Sequence, residues 1–119
     1  MRNPFSSSAG PRFVDRNEVL SVARDTARRI AEKHFGVLRV LLFGSFARED
    51  YGIHSDIDLL VIVSGSTKPV HERLADFLDE LPAYPTDMLV YTEPELQSLM
   101  SEQNHFLSQA LRESIQLYP

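Results

Sequence analysis

Apolar residues recur at helical spacing in the segment that follows the first dozen residues. They are Val19, Ala23, Ala27, Ile30 and Ala31. Intervals of three and four residues predict an amphipathic helix with one apolar face. Asp15 and Glu18 form a capping-box pattern that predicts the start of this helix, and Gly36 stands where the helix would end.

Four shorter apolar runs predict strands. They cover 37–43, 56–63, 86–91 and, as a short terminal strand, 115–118. Helical patterns lie between them: a single turn at 46–49, a helix that Pro69 opens, and helical material from the capping box Thr92–Glu95 to about residue 114. Helices that alternate with strands predict an α/β fold, a single compact domain with a small mixed β-sheet flanked by helices.

Length and composition agree with one domain. The chain has 119 residues, 43% of them hydrophobic, which is enough for one core and too little for two. Residues 1–13 contain two prolines and one glycine and are predicted to form a flexible tail, so the domain would span 14–119. The sequence contains no apolar run of about 18 residues and no secretion signal, so no membrane association is expected. The lack of cysteine excludes thiolate metal sites and is compatible with the cytoplasmic location that we expect.

Charge is distributed unevenly along the chain. Residues 1–48 carry nine Lys and Arg against four Asp and Glu, residues 49–119 carry three against thirteen, and the net charge is −5. No strong nucleic-acid binding is expected, because phosphate neutralisation needs clustered cations that an acidic chain lacks. The acidic part can hold cations and the basic part can contact phosphates or an acidic partner, but two solvated helix faces of opposite sign explain the same numbers.

Three aspartates interrupt runs that should be apolar. Asp56 and Asp58 stand at the start of the second strand, and Asp87 stands near the start of the third. Strand alternation places Asp56 and Asp58 on one face, where two carboxylates repel each other unless a cation lies between them. Oxygen ligands without nearby His or Cys favour Mg²⁺ or Mn²⁺ over zinc. Taken alone, Asp-x-Asp is also common in solvated turns, so both interpretations stay open.

A second polar feature precedes these aspartates. Gly44-Ser45 follows the first predicted strand and opens a helical turn. Glycine lets a backbone approach a phosphate, and backbone N–H groups and the Ser45 hydroxyl can bind one. Arg48, one turn later, can contact the same anion or can pair with a carboxylate of the fold. Gly-Ser also occurs in ordinary tight turns, so this pair is not decisive by itself.

The two features occur together, as Gly44-Ser45, ten residues, then Asp56-x-Asp58, with strands on both sides. This combination, within the sequence Leu-Leu-Phe-Gly-Ser-Phe-Ala-Arg…Ser-Asp-Ile-Asp-Leu-Leu-Val, resembles the minimal nucleotidyltransferases of the DNA polymerase β-like superfamily. The third carboxylate of that family lies on the next strand, where Asp87 stands. Residues 104–118 are similar to the usual end of the family.

The resemblance implies a polymerase β-like core and metal-dependent transfer of a nucleoside monophosphate, with ATP as the expected donor. In that superfamily two metal ions, Mg²⁺ or Mn²⁺, bridge three carboxylates and the triphosphate. By motif position, Asp56 and Asp58 would bind both ions, and Asp87 would bind the ion on the side of the nucleophile. Gly44 and Ser45 would hold the β- and γ-phosphates of the leaving pyrophosphate.

The acceptor of the nucleotide is expected to be a separate molecule. Larger superfamily members carry additional acceptor-binding domains, whereas the resemblance here covers about residues 17–118 and leaves almost nothing outside the core. Minimal members resemble antitoxins that transfer AMP to a tyrosine of an all-helical HEPN-type RNase. The first hypothesis is therefore an enzyme that adenylylates a HEPN-type partner in a toxin–antitoxin pair. A non-catalytic module that neutralises its partner by binding, and an adenylyltransferase for small molecules or RNA, are the alternatives.

One residue departs from the family pattern. Glu49 stands where these proteins commonly have Gly after the Ala-Arg pair. A carboxylate directed at a triphosphate would weaken nucleotide binding, whereas a carboxylate directed at solvent would leave binding unchanged. The three aspartates favour the enzyme, and Glu49 leaves the binding-module hypothesis open.

Overall fold

The computed structural model describes residues 15–119, so the tail predicted for residues 1–13 lies outside the described part. Within that part the helices are α1 (Arg16–Lys33), α2 (Gly44–Arg48), α3 (Glu93–Ser101), α4 (His105–Glu113) and a 3-10 helix (Val70–Glu80). The strands are β1 (Val37–Phe43), β2 (Ile57–Val63), β3 (Thr86–Thr92) and β4 (Ile115–Tyr118). No helix between residues 15 and 119 combines the length and apolar character needed to cross a membrane.

The four strands form one mixed sheet in the order β3-β2-β1-β4. β2 and β3 are parallel, whereas β1 runs antiparallel to both β2 and β4. The chain crosses from β2 to the parallel β3 through the 3-10 helix, because parallel neighbours need a crossover connection. The expected α/β fold with a small mixed sheet and flanking helices is confirmed.

The apolar side chains of β2 alternate between two cores, so both faces of the sheet are covered. Leu59 and Val61 belong to the core that includes α1 and Phe77 of the 3-10 helix. Leu60 and Ile62 belong to a second, smaller core that includes Leu96 of α3 and Leu107 of α4. Asp58 lies two residues before Leu60 and four before Ile62, so its side chain is on the same face of the sheet as theirs, the face that α3 and α4 cover.

The predicted helix starts are confirmed by their caps. The Asp15 carboxylate accepts hydrogen bonds from the backbone N–H groups of Asn17 (2.9 Å) and Glu18 (3.4 Å). At α3, the Thr92 N–H donates to the Glu95 carboxylate (2.8 Å) and the Glu95 N–H donates to the Thr92 hydroxyl (3.2 Å), which completes a capping box. Side-chain acceptors stabilise these helix starts because the first N–H groups of a helix lack backbone partners.

Two helical predictions need correction. The segment after Pro69 is a 3-10 helix, so residues three apart share a face, and Phe77 and Glu80 are buried while Leu78 is 57% exposed. The helical material predicted up to about residue 114 is divided into two helices, α3 and α4. Gln103 adopts a left-handed conformation (φ 59°) after α3, and the Asn104 side chain then accepts from the Leu107 N–H (2.9 Å) and starts α4.

A buried arginine fixes the 3-10 helix to β3 and α3. Arg73 is only 4% exposed, and its guanidinium donates to the carbonyls of Lys68 (2.8 Å) and Val90 (3.1 Å). It also forms a bidentate pair with Glu95 at 2.5 and 2.8 Å. The hydrogen bonds from Arg73 lower the pKa of Glu95 to about 2. A buried guanidinium needs this full set of acceptors because an unpaired buried charge is strongly destabilising.

Candidate active site

The chain turns sharply where β1 meets α2, and the turn requires glycine. Gly44 has a φ of +75°, a left-handed conformation that residues with a side chain rarely adopt. A β-carbon at this position would also lie 2.1 Å from Oδ2 of Asp58 on the neighbouring strand. The missing side chain of Gly44 therefore leaves the space that the Asp58 carboxylate occupies.

Asp58 and Asp87 are direct neighbours in the parallel pairing of β2 and β3. Asp58 is half-buried and Asp87 is exposed. Burial raises the pKa of Asp58 to about 6, and the negative charges of Asp87 and Asp56 add to this increase, while the nearby Arg48 opposes it. The cost of a half-buried charge beside two like charges would be relieved by a bound cation.

Asp56 lies one residue before β2, which begins at Ile57 and not at the predicted residue 56. Asp56 is half-buried, and its charge is close enough to raise the pKa of Asp58. It is not among the residues that line the cavity described next. The structure therefore places Asp56 beside the pair Asp58 and Asp87 and outside the wall of the cavity.

A cavity of about 630 Å³ opens between the end of β1, the starts of β2 and β3, and one face of α4. Its polar wall contains five of the six residues that the sequence selects, namely Gly44, Ser45, Arg48, Asp58 and Asp87. Its apolar wall consists of Phe43, Leu74, Met88, Leu89, Phe106 and Ala110. A cavity of this size, mainly apolar and with a few convergent polar groups, is typical of small-molecule and cofactor sites.

A family model described as a nucleotidyltransferase domain matches residues 24–115, which include the Gly44 turn, Asp58 and Asp87. The chain belongs to this nucleotidyltransferase family. Its fold is also similar to the crystal structure of a protein of Sulfolobus solfataricus assigned as a nucleotidyltransferase, with 27% sequence identity, a TM-score of 0.61, and coverage of 70% of this chain and 75% of the other. A search of curated protein sequences finds no significant match.

Membership of the family confirms the expected polymerase β-like core and a nucleotidyltransferase activity at the general level. Nucleotidyltransferases of this family use a nucleoside triphosphate and a divalent metal ion. The residues of this chain fit such an ion. The donors at the cavity are carboxylate oxygens, and a small divalent cation is commonly bound by one or two carboxylates together with substrate phosphates.

The carboxylates do not form a metal cage by themselves. Among residues 15–119, no group of three or more His, Cys, Asp and Glu side chains is placed to hold a metal ion. A site made from Asp58, Asp87 and phosphate oxygens agrees with this geometry, because the cation would then be bound only with its triphosphate.

Arg48 connects α2 with α4 at the edge of the cavity. Its Nε donates to the Asp50 carboxylate at 3.0 Å and lies 3.7 Å from a carboxylate oxygen of Glu113. Hydrogen bonding to Asp50 raises the pKa of Arg48, so the guanidinium stays charged. Arg48 therefore pairs with carboxylates, as one of the two sequence interpretations expects, and it also lines the cavity, where its contact with a phosphate stays a prediction.

Glu49 adopts the left-handed conformation, with φ 68° and ψ 23°, and its N–H donates to the Ser45 carbonyl at the end of α2. The side chain is 70% exposed and approaches Arg16 at 3.8 Å. It does not line the cavity. A left-handed helix end favours glycine for backbone reasons, so the glycine expected at this position has a backbone cause, and the exposed side chain of Glu49 does not enter the cavity.

The contribution of α4 to the site was not predicted from the sequence. Phe106, Gln109, Ala110 and Glu113 all line the cavity, and their spacing of three, four and seven residues is that of one helical face. No motif marks these residues, and at least 48 positions separate them from Asp58 in the chain. Only the helical spacing of α4, in a segment similar to the usual end of the family, could have indicated them.

Proposed function

We propose that this nucleotidyltransferase transfers AMP from ATP to a hydroxyl, most simply a tyrosine hydroxyl, of a separate partner protein in the cytoplasm. The resemblance to antitoxin-type minimal nucleotidyltransferases suggests an all-helical HEPN-type toxin as that partner. The observation that carries the proposal is the cavity in which the Gly44 turn, Ser45 and the paired Asp58 and Asp87 converge.

The polar wall supplies the groups that a triphosphate needs. The Ser45 hydroxyl and the Arg48 guanidinium are the proposed donors to the β- and γ-phosphates, and the Gly44 backbone permits their close approach. Asp58 and Asp87, with Asp56 beside them, would hold Mg²⁺ or Mn²⁺, two ions in the complete complex. Bound there, the metal would neutralise phosphate charge and lower the pKa of the acceptor hydroxyl.

The proposed reaction is an in-line displacement at the α-phosphorus of ATP. A bond forms between the acceptor oxygen and the α-phosphorus, and the bond from that phosphorus to the bridging oxygen of the β-phosphate breaks. Pyrophosphate leaves as AMP is attached to the acceptor. The proton of the acceptor hydroxyl passes to Asp87 or to solvent, and Asp87 is suited to this role because it is the exposed member of the carboxylate pair.

Exposure of the site supports a macromolecular acceptor. Asp87 and Arg48 are exposed, and Phe106 at the rim of the cavity is 63% exposed. A side chain presented on the surface of another protein can therefore reach the α-phosphate without a large opening motion. The binding-module alternative depended on Glu49, whose side chain does not line the cavity.

The test is mass spectrometry of the protein incubated with ATP, Mg²⁺ and the product of the neighbouring gene, which the proposal expects to be a helical protein. We expect a mass increase of one or more AMP units on a tyrosine of the neighbour, together with release of pyrophosphate. A neighbour that is inhibited without any adduct would favour the binding module. Labelling of RNA or a small molecule in place of the neighbour would favour the remaining alternative.

A further inference from the structure

Phe106 is an apolar side chain that the core does not use. The large apolar side chains exposed in residues 15–119 are Phe35, Leu38, Ile53, Leu78, Met100 and Phe106. Phe106 alone among these lines the 630 Å³ cavity, although 63% of it is exposed. A large aromatic ring left open in a binding cavity is available to contact a ligand.

The position of Phe106 relative to the polar wall is defined by α4. Glu113, which also lines the cavity, approaches Arg48 at 3.7 Å and marks the phosphate-binding end. Phe106 lies seven residues earlier on the same helical face, about 10 Å away along the axis at 1.5 Å per residue. Its ring packs perpendicular to Phe43, with centroids 6.3 Å apart, and Phe43 pairs with Asp58 in the sheet. The part of the cavity at Arg48 and Glu113 is the proposed phosphate-binding end, and the part at Phe43 and Phe106 is its aromatic end, with Asp58 beside Phe43 in the sheet.

We infer that the aromatic end binds the base of the nucleotide, with the base stacked on Phe106 and its edge contacted by Gln109. This inference rests on the proposed function, because it extends the triphosphate site along the same cavity. A nucleoside triphosphate has a charged end and a planar aromatic end, and the two walls present matching chemistry in the same order. Stacking on an aromatic ring suits any base, so Phe106 supplies affinity more than selectivity.

Gln109 gives the site a preference for adenine. It lies one helical turn after Phe106 and lines the same cavity, and its amide offers one acceptor and two donors. Within the described residues the Gln109 side chain makes no hydrogen bond, so it can meet a ligand. Adenine presents an amino donor beside a ring-nitrogen acceptor, the pattern that a Gln amide matches in bidentate pairs, whereas guanine presents two acceptors at that edge, which suit Arg or Lys.

The experiment compares Mg²⁺-ATP with Mg²⁺-tripolyphosphate, which lacks the base and the ribose, by calorimetric titration. Phe106→Ala is expected to weaken ATP binding by about 10- to 100-fold and to leave tripolyphosphate binding within about twofold. Phe106→Tyr keeps the ring and should keep the ATP affinity. Phe35→Ala is the matched control, because Phe35 is fully exposed and lies outside this cavity.

The outcomes separate this inference from the proposed function. If the unsubstituted protein binds neither ligand, both fail. The base site alone is wrong if the unsubstituted protein binds both ligands and Phe106→Ala keeps the parent affinity for ATP. The same conclusion follows if Phe106→Ala loses affinity for ATP and tripolyphosphate equally. Slower AMP transfer to the acceptor protein by Phe106→Ala, with unchanged ATP affinity, would also overturn the base-site inference and would assign Phe106 to acceptor binding.

The Gln109 assignment is tested by the ratio of ATP to GTP affinity. The unsubstituted protein should prefer ATP, and Gln109→Ala should reduce that preference by about tenfold without changing tripolyphosphate binding. Equal binding of ATP and GTP by the unsubstituted protein, or an unchanged ratio in Gln109→Ala, would remove Gln109 from the base site.

Discussion

Gly44 and Asp58 share a space that holds only one side chain. A β-carbon on Gly44 would lie 2.1 Å from Oδ2 of Asp58 and 3.0 Å from its carboxyl carbon. The turn after β1 and the carboxylate at the start of β2 are therefore one structural unit. Any side chain at position 44 has to displace the carboxylate proposed to bind the metal.

Gly44→Ala should accordingly abolish Mg²⁺-dependent nucleotide binding and destabilise the fold. Alanine would have to keep a φ of +75°, which costs about 1–2 kcal/mol, in addition to the displacement of Asp58. Gly52→Ala is the control, because a β-carbon there meets no atom within 4 Å. Thermal unfolding and calorimetric titration of both variants check this. A Gly44→Ala protein that binds nucleotide normally would show that Asp58 needs no such space.

Glu49→Gly should stabilise the protein and leave nucleotide affinity unchanged. The gain comes from removing the left-handed strain at φ 68° and is reduced by the greater flexibility of glycine in the unfolded chain, which leaves a net gain of about 0.5–1 kcal/mol. Glu49→Ala keeps the strain and removes the charge, so it should show no gain. If both variants tighten ATP binding, the charge of Glu49 acts on the triphosphate, which would contradict this prediction.

The raised pKa of Asp58 predicts a specific pH dependence. Because the native state holds the Asp58 proton more tightly than the unfolded chain does, the metal-free protein should lose stability as the pH rises from about 4 through about 6. Asp58→Asn should remove this loss and raise the melting temperature at pH 7, whereas Asp79→Asn, at an exposed position, should not. Affinity for Mg²⁺-nucleotide should fall below pH 6, where Asp58 is protonated. Identical pH profiles for Asp58→Asn and the parent would contradict this account.

Breaking the pair of Arg73 and Glu95 should destabilise the fold without a direct effect on the cavity. Glu95→Gln leaves the buried guanidinium without its carboxylate, at an expected cost of about 2–3 kcal/mol because Glu95 itself is partly exposed. In the parent this contribution should persist in mild acid and disappear as the pH falls through about 2, the lowered pKa of Glu95. Glu93→Gln is the control on the same helix. It removes a weaker, 3.4 Å contact with Arg39 and should cost less than about 1 kcal/mol in denaturant unfolding.

The sequence predicts most of the fold because its strands and helix caps are local signals. Apolar runs locate β1, β2 and β3 to within one residue, and Asp15 and Thr92 mark the starts of α1 and α3. The break between α3 and α4 was missed because it depends on the left-handed conformation of Gln103, which side-chain periodicity does not reveal.

The candidate site likewise has one part that local sequence predicts and one part that depends on long-range packing. The spacing of Gly44, Ser45 and Asp58, with Asp87 on the next strand, predicts a site for nucleotide transfer. The register of β2 with β3 explains why the two aspartates become neighbours. The apolar wall that includes Phe106 depends on how α4 packs over the sheet, a long-range contact that no local motif encodes. The metal and nucleotide roles of the selected residues stay predictions.

Asp87 provides the most direct test of an active transferase. Asp58 and the phosphates can retain a metal–ATP complex, whereas the exposed Asp87 is proposed to serve the acceptor hydroxyl. Asp87→Asn keeps the shape and removes the charge, so it should spare ATP binding and lower the single-turnover rate of AMP transfer by about a hundredfold or more. Asp58→Asn should weaken ATP binding and also lower the single-turnover rate. Transfer of AMP by Asp87→Asn at the parent rate would contradict the proposed carboxylate site.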